Sequence, residues 1–166
     1  MLDEAALTSG RTGDWESIPG LPANAFVANE ARWFALDAVY LVFVLPGVLV
    51  GAKVSGQMIL GHTLGFFSPE NPLAFTRADL LLAALVTDPT SNEFLSLDPV
   101  NFRLTPADIV VIRTSAGRSL WTGGVKNSGK LTLVRSEGRT RSLILLGQQD
   151  LNQIRELLID AGFVVE

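Results

Sequence analysis

Between Gly124 and Lys130 the chain reads GVKNSGK, two glycines separated by four residues and followed by a lysine. That is the spacing of a phosphate-binding loop. In such a loop, backbone N–H groups of a Gly-rich turn hold phosphates, the lysine reaches the terminal oxygens, and a following Ser or Thr binds magnesium. Leu131 stands where the hydroxyl belongs, and Thr132 is one position out of register. The loop must also lead into a helix whose N-terminus faces the anion. Here LTLVR, Leu131 to Arg135, alternates with the period of a strand. The stretch GGVKNSGKLT therefore predicts a Gly/Asn/Ser hairpin loop between two strands, SLW and KLTLVR, and not a nucleotide site.

Other reactive side chains are sparse. His62 is the single histidine, in LGHTLG, and there is no Cys. Thiolate chemistry, disulfides and zinc–thiolate sites are excluded, and a reducing, cytoplasmic setting is compatible with this usage. No G-x-S-x-G elbow occurs, and no His/Asp/Glu spacing suits a metal. The expectation is no catalytic residue, no metal and no cofactor.

Cations are unevenly spread. Residues 1–100 hold four basic and eleven acidic groups (4 − 11 = −7), residues 101–150 eight and three (8 − 3 = +5), and the last sixteen one and three (1 − 3 = −2). A positive half on an acidic chain marks either an anionic partner or a solvated sheet face. Lys126 and Lys130 flank the Gly-rich stretch, and Arg118, Arg139 and Arg141 fall on adjacent strands or turns, with Arg135 nearby. This set forms the candidate anion- or partner-binding group. The sequence pI near 5.0 and the lack of interleaved aromatics argue against nucleic acid.

These residues need elements to position them. The most apolar run, Ala38 to Ala52, lies between Asp37 and Lys53. Its fifteen residues would make a helix of roughly 22 Å, short of the ~30 Å hydrocarbon core, so no transmembrane span is expected. Pro46-Gly47 divides it, and Val, Tyr and Phe favour strands. The spacing predicts strands over Val39–Leu45 and Val48–Lys53. Residues 22–33 read as helix or as strand. The first residues, with no apolar signal-like core, predict a flexible arm over 1–14, followed by a single domain over 15–166.

An insertion over about 56–99 opens with a Gly-rich passage and then turns helical. Thr76 is the expected N-cap of TRADLLLAALVTDP, with a stripe of Leu80, Leu81, Ala84 and Leu85 and a stop at Pro89. Asn92–Leu97 allows one further turn. Strands follow at Ile109–Arg113, SLWTG, Lys130–Arg135 and Thr140–Gly147. The last element is an amphipathic helix. It is capped by Asp150 and faced by Leu151, Ile154, Leu157, Leu158 and Ala161, with Gly162 as its stop. This order predicts a mainly β domain: a curved antiparallel sheet or partly open barrel with a C-terminal helix and a helical insertion.

The C-terminal half, from FRLTPADIVVIRT through SLWTGGVKNSGKLTLVRSEGRTRSLILLGQQDLNQIRELLIDAG, resembles bacterial pleckstrin-homology-like (PH-like) domains. Phe102, Leu104, Pro106, Asp108 and Ile109 match that family's "F-x-I-P-Y-x-D-I" segment, although Thr105-Pro106-Ala107 departs from its order. VYLVFVLPGVLVGAKVSG is similar to the family's paired strands, but lacks their Thr-Asn-Lys-Arg. The resemblance implies a small barrel closed by a C-terminal helix, of a kind that binds lipids, peptides or other subunits. Family members that bind phosphoinositides use a basic loop between their first two strands. The corresponding early turn here, LPG, has no cation.

Three function classes are expected, in this order. The first is a non-enzymatic PH-like interaction module that binds a protein partner or itself. Phe66, Phe67 and Phe75 of the insertion are its candidate surface. The second is an anionic-lipid or phosphate binder using the basic residues of the 118–141 region, peripheral at a membrane. The third is an enzyme with an unrecognised site.

Overall fold

The computed structural model describes residues 20–30, 38–56, 70–117 and 126–166. Seven strands form one antiparallel sheet. They are β1 (Ala25–Glu30), β2 (Ala38–Leu45), β3 (Val48–Ser55), β4 (Phe102–Leu104), β5 (Ile109–Ser115), β6 (Asn127–Arg135) and β7 (Thr140–Leu146), in the spatial order β4-β3-β2-β1-β7-β6-β5. Three helices accompany them: α1 (Ala78–Val86), α2 (Asn92–Ser96) and α3 (Leu151–Asp160). The sheet curls into a half-barrel. Its concave face gathers side chains from all seven strands, among them Phe26, Tyr40, Leu49, Leu104, Ile112, Leu133 and Leu143, and α3 adds Ile154 and Leu158.

The apolar run of β2 and β3 is a hairpin, with Leu45 paired to Val48 and Pro46-Gly47 at the turn. It does not alternate because both of its faces are covered. Tyr40 and Val42 face the concave core, while Val39, Leu41 and Phe43 face a second apolar layer on the convex side. Phe75, Ala84 and Phe94 of the insertion build that layer, and α1 packs on β3. Two-sided burial removes the polar half of the strand pattern. Among the described residues no helix is long and apolar enough to cross a membrane.

Residues 25–30 of the ambiguous first segment are strand, because β1 is central, between β2 and β7. All six of its residues are buried. Four further expectations are corrected. Phe102–Leu104 pairs with Leu49–Gly51 and is a strand in its own right. Thr76 does not cap α1. Its hydroxyl donates to the Leu73 carbonyl, while Arg77 occupies the cap position and pairs with Asp79 at 2.8 Å. Phe75 is buried within the convex layer and so is no surface residue. Asn127, Ser128 and Gly129 are not loop but the first residues of β6. The arm over 1–14, the strand SLWTG, His62, Phe66, Phe67 and Arg118 lie outside the described residues.

The N-cap of α3 is as expected. The Asp150 carboxylate accepts from the N–H groups of Asn152 and Gln153, and Gly162 follows the helix with φ +96°. The residue before the cap, Gln149, joins strands. Its amide donates to the carbonyls of Val27 and Leu146 and accepts from the Val27 N–H, so it continues the short β1–β7 ladder with a side chain.

One buried group breaks the pattern. Asn29 of β1 is fully buried, yet neither its Oδ1 nor its Nδ2 has a hydrogen-bond partner among the described residues. An unsatisfied buried amide costs about 1–3 kcal/mol. Asn29→Val replaces it with a β-favouring side chain and is expected to raise stability by about 1–2 kcal/mol in urea unfolding. A loss of stability would show that the amide is bonded after all.

Candidate functional site

The concave face changes character at one place. Side chains two residues apart on a strand share a face, so the inward series can be followed strand by strand. In β1 it runs Phe26, Ala28, Glu30; in β7, Leu145, Leu143, Arg141; in β6, Leu131, Leu133, Arg135. Three neighbouring inward series thus end on a charge. Together with Arg103, Arg139, Thr140 and residues 99–102 and 104, these side chains line a cleft of about 570 Å³. One wall is β4 and the residues leading into it; the other is the β6–β7 turn and its strand ends. None of the described residues that line the cleft belongs to α3.

Arg141 forms the floor. Its Nε donates to the Glu30 carboxylate at 2.7 Å, and both side chains are mostly buried. Its guanidinium lies 4.0 Å from the centre of the Phe102 ring and 5.6 Å from that of Tyr40. Tyr40 and Phe102 meet edge to face at 5.2 Å. A flat cation between a carboxylate and an aromatic face is fixed in orientation. Gly51 makes room for this stack, since a Cβ there would stand 2.2 Å from the Phe102 ring.

The other guanidiniums are held differently. Arg103 donates to the carbonyls of Thr90 and Ser91. Arg135 reaches Glu137 through Nη1 at 3.0 Å, while its buried Nε has no acceptor among the described residues. Arg139 is exposed and has no ion pair among the described residues. Among the described residues, four arginines and one glutamate give the lining a formal charge of 4 − 1 = +3.

The two walls are tied together. The carbonyl of Asp108, in the β4–β5 turn, accepts from the Ser136 N–H in the β6–β7 turn. The Asp108 carboxylate accepts from the Thr105 N–H and hydroxyl, both at 2.8 Å, and these bonds hold its pKa below the ordinary aspartate value.

Guanidiniums keep their protons at physiological pH, and Glu30 is already engaged by Arg141. The arrangement therefore supplies fixed positive charge and donors to an anion.

Of the cations expected from sequence, Arg139 and Arg141 line the cleft and Lys126 and Lys130 do not. Lys126 bridges to Glu70 at 2.7 Å, and this contact lowers the Glu70 pKa. Lys130 sits in the middle of β6, opposite Ser115 and Ile144. Arg135, grouped with these cations in the sequence, also lines the cleft, whereas the expected site missed Arg103 and Glu30. A readable signal was present for Glu30, which follows Ala28 at the strand period. The LPG turn joins β2 to β3, not the first two strands, because residues 25–30 form β1. The β1–β2 connection, 31–37, lies outside the described residues. No family model, curated protein or solved structure matches this chain.

Proposed function

We propose that the chain is a non-enzymatic, PH-like interaction module that binds an acidic segment of a protein partner in the arginine-lined cleft. The observation that carries this reading is the cleft itself: among the described residues it is lined by four arginines against one glutamate, on an otherwise acidic chain of net charge −4. The PH-like part is supported by the element order, seven antiparallel strands and then an amphipathic helix, as the sequence resemblance implies.

A protein segment is favoured over a lipid headgroup on two grounds. A membrane-docking face combines exposed apolar side chains with a broad basic rim. The described exposed apolar residues, Leu82, Leu85, Val86, Leu97, Val110, Ile159 and Val164, do not line the cleft. Lys126 is neutralised by Glu70, and an acidic remainder is repelled by an anionic bilayer.

Fluorescence anisotropy with a labelled, end-capped oligoglutamate peptide tests the proposal. Binding is expected at low ionic strength and should weaken as salt is added. Phosphatidylserine vesicles are the comparison. Co-sedimentation with vesicles in the absence of peptide binding would replace the protein-partner reading with the lipid one.

A further inference from the structure

We propose that the acidic segment binds in extended form, adding as a strand to the open edge of β4. The inference rests on the reading of the cleft as an acidic-segment site, and specifies how that segment is held.

The sheet has two terminal strands, and the chain treats them differently. The outer edge of β5 is covered by the chain's own last residues. The Ile112 N–H donates to the Val164 carbonyl at 2.8 Å, the Glu166 N–H to the Ile112 carbonyl at 2.9 Å, and the Thr114 N–H to the Glu166 carbonyl at 2.8 Å. The outer edge of β4 has no strand beside it among the described residues. Beyond the pairing with β3, the backbone of Phe102, Arg103 and Leu104 makes no further backbone hydrogen bond among the described residues. An unpaired edge is a template for another strand.

This edge belongs to a wall of the cleft, since Phe102, Arg103 and Leu104 all line it. It is also held rigid. The Tyr40 hydroxyl reaches the Val100 carbonyl, the Asn101 side chain joins the Lys53 N–H to the Phe94 carbonyl, and Arg103 is anchored on Thr90 and Ser91. A fixed edge lowers the ordering cost of binding. In an extended ligand, alternate side chains share a face. A strand on β4 would turn every second side chain toward Arg135 and Arg139. The ligand class is therefore a peptide with acidic residues at alternate positions and β-favouring residues between. Three edge residues offer few ladder bonds, so charge and pairing must act together.

The probes are end-capped peptides alternating Glu and Val. One is unmodified, one is N-methylated at every Glu, and one is N-methylated at every Val. N–H groups of successive residues point to opposite edges of a strand, so only one methylated series blocks the edge that faces β4. The expected result is a loss of about tenfold or more in affinity for one methylated series and not the other. The unmodified peptide should also slow amide hydrogen exchange within Phe102–Leu104. Equal affinity for all three, with no exchange protection, overturns strand addition while the acidic-segment reading stands. Failure of all three, and of oligoglutamate, overturns both.

Discussion

Gly129→Ala is expected to cost about 3 kcal/mol of stability and to lower Tm by roughly 6–12 °C, read by circular dichroism. Gly129 is the second glycine of the apparent phosphate loop, and its actual role is a strand irregularity. Asn127 pairs with Leu146 and Gly129 with Leu145, so Ser128 is an extra residue in β6. At Gly129 φ is +132°, and an added Cβ would stand 2.5 Å from the Ser115 carbonyl oxygen and 3.3 Å from a Leu151 methyl. The carbonyl is backbone at the end of the β5–β6 pairing and cannot swing away as a side chain would. The bulge also places the Ser128 hydroxyl to donate to the Gly147 carbonyl and to accept from the Gln149 N–H. Gly138→Ala is the control. Its φ is also positive, but nothing lies within 4 Å of an added Cβ. Only the conformational term, about 1 kcal/mol, is expected there. Equal effects of the two substitutions would contradict the bulge account.

The second large effect is on binding. Arg135→Glu combined with Arg139→Glu takes the cleft lining from +3 to 2 − 3 = −1. The double variant is expected to lose at least about 100-fold in affinity for oligoglutamate, because like charges now face the ligand. Its Tm should change little. Arg139 is exposed, and the ion pair of Arg135 among the described residues is the partly exposed bridge to Glu137, at 3.0 Å. Surface ion pairs of that kind are worth about 0–1 kcal/mol. The matched comparison is Lys126→Glu with Lys130→Glu, the pair that flanks the Gly-rich stretch in sequence. These residues do not line the cleft, so binding should stay within about threefold, the change being limited to screened long-range charge. A larger loss in the lysine variant than in the arginine variant would move the site to the start of β6.

The sequence carried much of the sheet and less of the site. Strands with one solvated side announced themselves by alternation, as in KLTLVR, and α3 announced itself by Asp150 and the apolar stripe. The hairpin of β2 and β3 was legible from composition and Pro46-Gly47 even though its two-sided burial erased the alternation. β4 escaped because three residues are too few to establish a period. Phe75 escaped as a core residue because nothing local says that the convex face needs a cover. It is buried there with Phe94 and Ala84, and β1–β3 lie beneath them.

The cations illustrate the same limit. Sequence proximity grouped Lys126 and Lys130 with Arg139 and Arg141. The fold separates them, since β6 carries its two ends to different parts of the sheet. Its first residue pairs with Leu146 near the end of β7, whereas Val134 pairs with Thr140 at the start. Arg103 joins the cleft only because β4 pairs with β3 at the opposite end of the strand order from β5 and β6. That is a long-range fact which no local pattern encodes.

The central claim is that the cleft between β4 and the β6–β7 turn is where an acidic partner segment binds. The most direct measurement is a map of backbone amide shifts during NMR titration of the protein with oligoglutamate. The account predicts the largest saturable shifts at Glu30, Phe102, Arg103, Arg135, Arg139 and Arg141, with little change in α1 and at Lys126 and Lys130. Shifts concentrated at the start of β6 or on α1, or no saturable shift at low ionic strength, would contradict it.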